Sequence, residues 1–179
     1  MGRLLPIEIP GGWYHVVTRA ADDRMIFADT AACDQFLDRL SQLPERFEIR
    51  IHAYILMRNH YHLQIETLCA NLSESIRWLN AAYSKYRRNN PAASLFERAF
   101  TPTLHDSKTG ALTINRYIHL NPVRAGAVGI PPATEEDPKA AFAQASHNSV
   151  KARIKALSHS WSSYDVYVAQ KGPARAIWR

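Results

Sequence analysis

The sequence predicts an α+β fold: a ferredoxin-like βαββαβ chain with a four-stranded antiparallel sheet, followed by a further helix and a tail. Three observations predict it. Strand-like runs recur at residues 12–19, 49–57, 60–67 and 96–104. Apolar stripes at helical spacing separate the first run from the second and the third from the fourth. Two residues part the second run from the third, which is a hairpin spacing. In this order two helices cover one face of the sheet, and the other face is left for chemistry.

Each element has a local reason. The pair Gly11-Gly12 marks a turn before the first strand, GWYHVVTR. Asp29 or Thr30 can cap the first helix, whose stripe is Cys33, Phe36, Leu37, Leu40 and Leu43, with Pro44 near its end. The second and third strands meet at Arg58-Asn59. Asn71 with Glu74 three residues on has the spacing of a capping box. It opens a helix whose stripe is Leu72, Ile76, Leu79, Tyr83 and Tyr86, stopped by Asn89-Asn90-Pro91. The fourth strand, Phe96 to Leu104, is weakened by Pro102. A short helix from Leu112 to Asn121 is expected to end at Pro122. Residues 131–138 read as a linker, and Lys139 to Leu157 as another helix.

Lys and Arg outnumber Asp and Glu by 22 to 16, for a formal net charge of +6. The sequence pI of about 9.5 is the footprint of a nucleic-acid partner. No apolar run approaches the ~20 residues of a membrane span, and the N-terminal stretch lacks a signal-peptide core. Cys33 and Cys69 form no CxxC pair, against a zinc ribbon or a disulfide framework. A cytoplasmic protein, monomer or homodimer, is expected.

Two clusters could carry chemistry. His60 and His62 lie two apart in a strand, so both imidazoles share one side. They are either surface histidines or two ligands of a divalent metal; Gln64 and Glu66 share their face. In INRYIHLNPVRAG, residues 114–126, Tyr117 and Asn121 share a helix face. Tyr117 is either a core aromatic or a nucleophile, and Asn121 either a helix-end residue or an amide ligand. A tyrosine hydroxyl, with an ordinary pKa near 10, needs help to attack at neutral pH. A divalent cation nearby supplies it and polarises a phosphoryl oxygen as well.

MRNHYHLQIE, followed by RYIHLNPVRAG and then WSSYDVY, resembles the single-tyrosine HUH transposase family, and within it the REP-associated tyrosine transposase branch. HUH stands for His, hydrophobic residue, His: here His60, Tyr61 and His62. GGWYHVVTRA, the pair IF at residues 26–27, and HAYILM are similar to the family's first strand and loop and to the strand before the histidines. The resemblance runs from about Gly11 to Val128 and resumes from Trp161 to Tyr167. Arg58 stands where the family usually has proline, LFERAF is a loose match, and residues 131–160 exceed the usual length.

The resemblance implies a nuclease domain over residues 1–130 that cleaves and rejoins single-stranded DNA at hairpin-forming repeats, with residues 131–179 as a packing or regulatory tail. By position, Tyr117 is the nucleophile, His60 and His62 hold the metal, and Asn121 is the third polar ligand. Mg2+ or Mn2+ suits an imidazole and amide set completed by water and phosphate oxygens. Arg58, Arg116 and Arg124 flank the site as phosphate contacts; Arg19, Lys85 and Arg88 are further DNA-binding candidates. Trp13 and Trp78 are each expected to pack in the core, with stacking on a base as the alternative. The rival readings are a replication-initiator or relaxase nuclease with the same chemistry, and a non-catalytic nucleic-acid-binding module.

Overall fold

In the computed structural model of the chain, residues 7–87, 95–105, 108–124 and 162–163 are described. Strand β1 is Gly12–Arg19 and alternates cleanly: Tyr14 and Val16 are buried on one side, while Trp13, His15 and Val17 line the other. Helix α1, Thr30–Leu40, begins where the Asp29 carboxylate accepts the Ala32 N–H at 2.7 Å, a cap of the kind worth ~1 kcal/mol. Its buried residues Cys33, Phe36, Leu37 and Leu40 are the expected stripe. Leu43 is not part of α1. It opens a separate short helix, α2, Leu43–Phe47, with Pro44 in the first turn, where the missing N–H has no intrahelical partner to lose.

β2, Ile49–Met57, and β3, His60–Thr67, are joined by the predicted two-residue turn. β2 carries a bulge between Ile51 and Ala53 that shifts its register against β3. The extra residue reverses the alternation. Ile51, Tyr54 and Leu56 pack with α1 and α3, whereas Ala53, Ile55 and Met57 turn to the opposite face. The run AYIL is therefore buried on both sides, as a strand between two helical layers must be.

α3, Leu72–Arg87, buries Leu72, Ile76, Leu79 and Tyr83 against the sheet. The structure corrects the expected capping box. The Asn71 amide donates to the Phe47 carbonyl at 2.8 Å, and the Ser73 N–H is taken by the Glu8 carboxylate at 3.1 Å. Tyr86 is also corrected: it ends the stripe on the last turn and is 47% exposed, its ring tilted against Tyr83.

β4 is Thr101–His105, shorter than expected. Phe96 is a core residue that touches Ala20 through one isolated bridge, so its apolar character reflects burial and not strand pairing. Pro102 is tolerated because β4 is an edge strand. α4 spans Lys108–Arg124 and runs through Pro122, where the sequence predicted a stop. An interior proline costs ~3 kcal/mol, and the packing of α4 on the sheet outweighs it.

The strand order is β2-β3-β1-β4 with every neighbour antiparallel, the ferredoxin-like arrangement. α1 and α3 cover one face. α4 lies on the other, with Ile114, Tyr117 and Ile118 against Ala53, Ile55 and Met57. The face expected to be open is thus half-roofed by the last helix. Among the described residues no helix is long and apolar enough to cross a membrane. The expected linker at 131–138, the helix at 139–157, and Trp161, Tyr164 and Tyr167 lie outside the described residues.

Candidate active site

β3 sets His60 and His62 side by side beneath α4, their rings edge to face with centroids 5.1 Å apart. His60, at the hairpin end, is half-buried. Its Nδ1 lies 2.7 Å from Asn59 Oδ1, so the ring donates there and Nε2 keeps its lone pair. Burial lowers the His60 pKa; Arg19, its partner in the β1–β3 register, lowers it further, and Asp23 works against both. His62 is buried. Desolvation brings it down to about 3, helped by His15, His60 and Arg19.

His15 was not singled out in the sequence. It stands on β1 with its ring parallel to that of His62, at an interplanar angle of 10°. Its Nε2 is 3.0 Å from His62 Nδ1. Burial, with His105 adding, holds His15 at about 4. All three imidazoles are therefore neutral at neutral pH, the form that can ligate a metal.

α4 brings the second cluster to the first. Asn121 is buried, and its Nδ2 lies 3.3 Å from His62 Nε2. One turn earlier, the Tyr117 ring meets His15 edge-on at 5.7 Å and His62 at 6.1 Å between centroids. Tyr61, between the two histidines, faces away: its hydroxyl donates to Asn80 Oδ1 on α3 at 2.7 Å.

Three anchors fix α4. Near its start the Gln64 amide donates to the Ala111 carbonyl at 2.6 Å. In the middle Ile118 packs on Ala53 and Ile55. Beside it, His119 Nε2 lies 2.8 Å from the hydroxyl of Ser163, which is buried. Ser163 pairs with the edge of β2: its N–H donates to the Tyr54 carbonyl at 3.1 Å, and its hydroxyl accepts the Tyr54 N–H at 2.9 Å. Desolvation lowers His119 to about 4, opposed by its backbone hydrogen bond at Asn115. His119 is thus a neutral acceptor for the serine hydroxyl.

The residues that could hold a divalent ion are His60, His62 and Asn121. Among the described residues no three of His, Cys, Asp or Glu are arranged to do so, so the donor set is two imidazoles and an amide. Imidazole is a borderline donor and the amide oxygen a hard one, so the set could hold a divalent ion whose remaining positions are filled by water and phosphate oxygens. Adjacent ligands of an octahedral ion with bonds of 2.0–2.1 Å lie about 3 Å apart, close to the 3.3 Å between Asn121 and His62. Turning the amide over presents Oδ1 in place of Nδ2.

The basic candidates divide. Arg19 is exposed at the end of β1, opposite His60. Arg58 is exposed in the hairpin and reaches Met25. Arg116 is exposed on α4 next to Tyr117. Lys85 lies on α3, across the sheet from the histidines; Arg88 and the side chain of Arg124 lie outside the described residues. Trp13 is half-buried and stacked on His52, 3.9 Å between centroids, and Trp78 lies under Arg46.

His15, Gln64, His119 and Ser163 are the site residues that sequence reasoning missed or left without a role. Gln64 was visible only as a neighbour on the histidine face. A lone histidine in a strand carries no signal until the register of β1 on β3 is known.

One solved structure shares this architecture. A REP-associated tyrosine transposase bound to a REP hairpin superposes with a TM-score of 0.63 at 17% identity, covering 72% of this chain and 77% of that one. A Deinococcus radiodurans R1 protein described as a transposase gives a TM-score of 0.45 at 16% identity, covering 66% of this chain and 94% of that one. A tRNA(His) guanylyltransferase from Saccharomyces cerevisiae gives 0.48 at 10% identity, covering 87% and 81%. These last two scores are too low to bear on the fold. No curated protein shows a significant match. The model of the IS200-like transposases matches residues 9–121, well over half of the chain and all of the site from His15 to Asn121. The chain belongs to the IS200-like transposase family, with the fold of a REP-associated tyrosine transposase.

Proposed function

We propose that this transposase-family chain cleaves and rejoins single-stranded DNA through a covalent bond to Tyr117. The observation that carries the reading is the meeting of Tyr117, Asn121 and His62 under one turn of α4. A phenol hydroxyl, two neutral imidazoles and an amide are the parts that phosphoryl transfer to tyrosine needs. His60, His62 and Asn121 would hold Mg2+ or Mn2+, which when bound polarises the scissile phosphate and favours the phenolate.

The Tyr117 oxygen attacks the phosphorus and loses its proton to solvent. The bond from phosphorus to the 3′-oxygen breaks, and that oxygen takes up a proton. The enzyme is left joined to a 5′-phosphate, and attack by another 3′-hydroxyl reverses the step without a nucleotide cofactor. Arg19, Arg58 and Arg116, all exposed, would supply countercharge to a backbone entering the site. The likeness to a transposase bound to a REP hairpin supports a hairpin-forming repeat as the substrate.

The test is incubation of hairpin-bearing oligonucleotides with the protein and Mn2+, with and without EDTA. The reading expects metal-dependent nicking of the single strand and little action on duplex. Tight binding without nicking, under any divalent metal, would favour a non-catalytic binding module.

A further inference from the structure

We propose that His15 is a positioning residue: it accepts a hydrogen bond from His62 Nδ1 and so keeps the lone pair of His62 on Nε2, facing Asn121. The idea rests on the reading of His62 as a metal ligand, but its core is a statement about a tautomer and can be judged separately.

A neutral imidazole has one N–H and one lone pair. Between His15 Nε2 and His62 Nδ1, 3.0 Å apart, one nitrogen donates and the other accepts. If His15 donates, the proton of His62 sits on Nε2, and that nitrogen can hold no cation. If His62 donates, Nε2 is bare. In the metal-free chain the second arrangement matches the other side of the ring, where the Asn121 Nδ2 group stands 3.3 Å from Nε2 as a donor; with a cation bound, the cation would take the Nε2 lone pair and the turned amide would offer it Oδ1. The chain then runs in one direction, from the Asn121 amide to His62 Nε2, and from His62 Nδ1–H to His15 Nε2. A ligating histidine generally donates its other nitrogen to a fixed acceptor, which sets tautomer and ring orientation. For His60 the Asn59 side-chain oxygen, 2.7 Å from Nδ1, takes that part; for His62 the acceptor is His15.

The bland alternative is that His15 fills space. Its geometry argues otherwise. A half-buried imidazole loses part of its hydration, which costs free energy unless its nitrogens are bonded, and an apolar side chain would fill the same position. The nearly parallel rings, 10° apart, bring nitrogen to nitrogen. The same ring also meets the edge of Tyr117 at 5.7 Å, so one residue braces the ligand and the residue proposed as nucleophile.

The experiment uses the full chain labelled with 15N-histidine, free of metal, slightly above neutral pH. Imidazole nitrogen shifts report which nitrogen carries the proton. The wild type is expected to show His62 protonated on Nδ1 and bare on Nε2. In His15→Phe, which keeps a ring but removes the acceptor, the signal should move towards the Nε2–H form, and Mn2+ affinity should fall ~10- to 100-fold, as for lost outer-shell partners. His15→Gln restores an acceptor oxygen and should recover part of both. A wild-type His62 protonated on Nε2 overturns the proposal even if the variants fail to fold. So does an unchanged tautomer in His15→Phe. The expected tautomer in a wild type that binds no Mn2+ would leave the His15 lock standing and remove the ligand reading of His62.

Discussion

His62 and Asn121 are 59 residues apart in the chain, yet the Asn121 amide nitrogen sits 3.3 Å from His62 Nε2. One belongs to the central strand pair and the other to the helix that roofs it. That contact ties the two sequence motifs into one site, and several expectations depend on it.

The metal reading separates the two histidines. His60→Ala removes a half-buried ring, so the fold should hold while Mn2+ binding and cleavage are lost. His62→Ala leaves His15 and Asn121 without their shared partner in a buried place. It should lose metal and activity too, and also ~1–3 kcal/mol of stability, the usual cost of orphaned buried polar groups. Asn121→Ala should weaken Mn2+ and slow cleavage by ~10- to 100-fold. Calorimetry with Mn2+ and urea unfolding of the three variants check this. Wild-type Mn2+ affinity in both histidine variants would end the assignment.

Ser163 fixes α4 from the far end of the sequence. Ser163→Ala strips a partner from the Tyr54 N–H and from His119. A destabilisation of ~1–3 kcal/mol is expected, with cleavage slowed because Tyr117 and Asn121 flank His119 on α4. Ser163→Thr keeps the hydroxyl and should recover much of both. Equal urea midpoints for wild type and Ser163→Ala would show that the contact contributes nothing.

Low pH should unfold the metal-free protein in a predictable window. Burial holds His15 and His119 at about 4 and His62 at about 3, below the ordinary 6.5. The unfolded chain therefore takes up protons first as pH falls. The stability contributed by the neutral histidines is complete above pH ~6.5 and is lost progressively as pH falls, to about 4 for His15 and His119 and to about 3 for His62. Thermal melts in EDTA across this range should show a falling Tm. A flat Tm between about pH 7 and 5 would mean that these imidazoles are not buried as described.

Much of this was legible in the sequence, for identifiable reasons. The bounds of β1, β2 and β3 follow from local alternation and a two-residue turn, and the family resemblance agrees with the match over residues 9–121. What escaped depends on distant contacts. Phe96 looked like strand because it is apolar, but it is core. Pro122 looked like a stop, but α4 has the sheet to hold it. Tyr86 fits the helical stripe by spacing and is still exposed. The bulge after Ile51 changes which residues of β2 face α4, and no local pattern announces it. His15 depends on the register of β1 against β3, and Ser163 on a contact across 109 residues.

The central claim is that Tyr117 forms the covalent bond, and peptide mapping of a trapped adduct tests it most directly. Wild-type protein, Mn2+ and a single-stranded oligonucleotide with the matching hairpin should give a denaturation-resistant adduct on Tyr117 through the 5′-phosphate of the 3′-side fragment. The 5′-side fragment should leave with a 3′-hydroxyl that a polymerase extends. Tyr117→Phe, which lacks one oxygen, should fold, bind the hairpin and form no adduct. A label on another tyrosine, or full cleavage by Tyr117→Phe, would contradict the assignment, and cleavage with no adduct would make water the nucleophile.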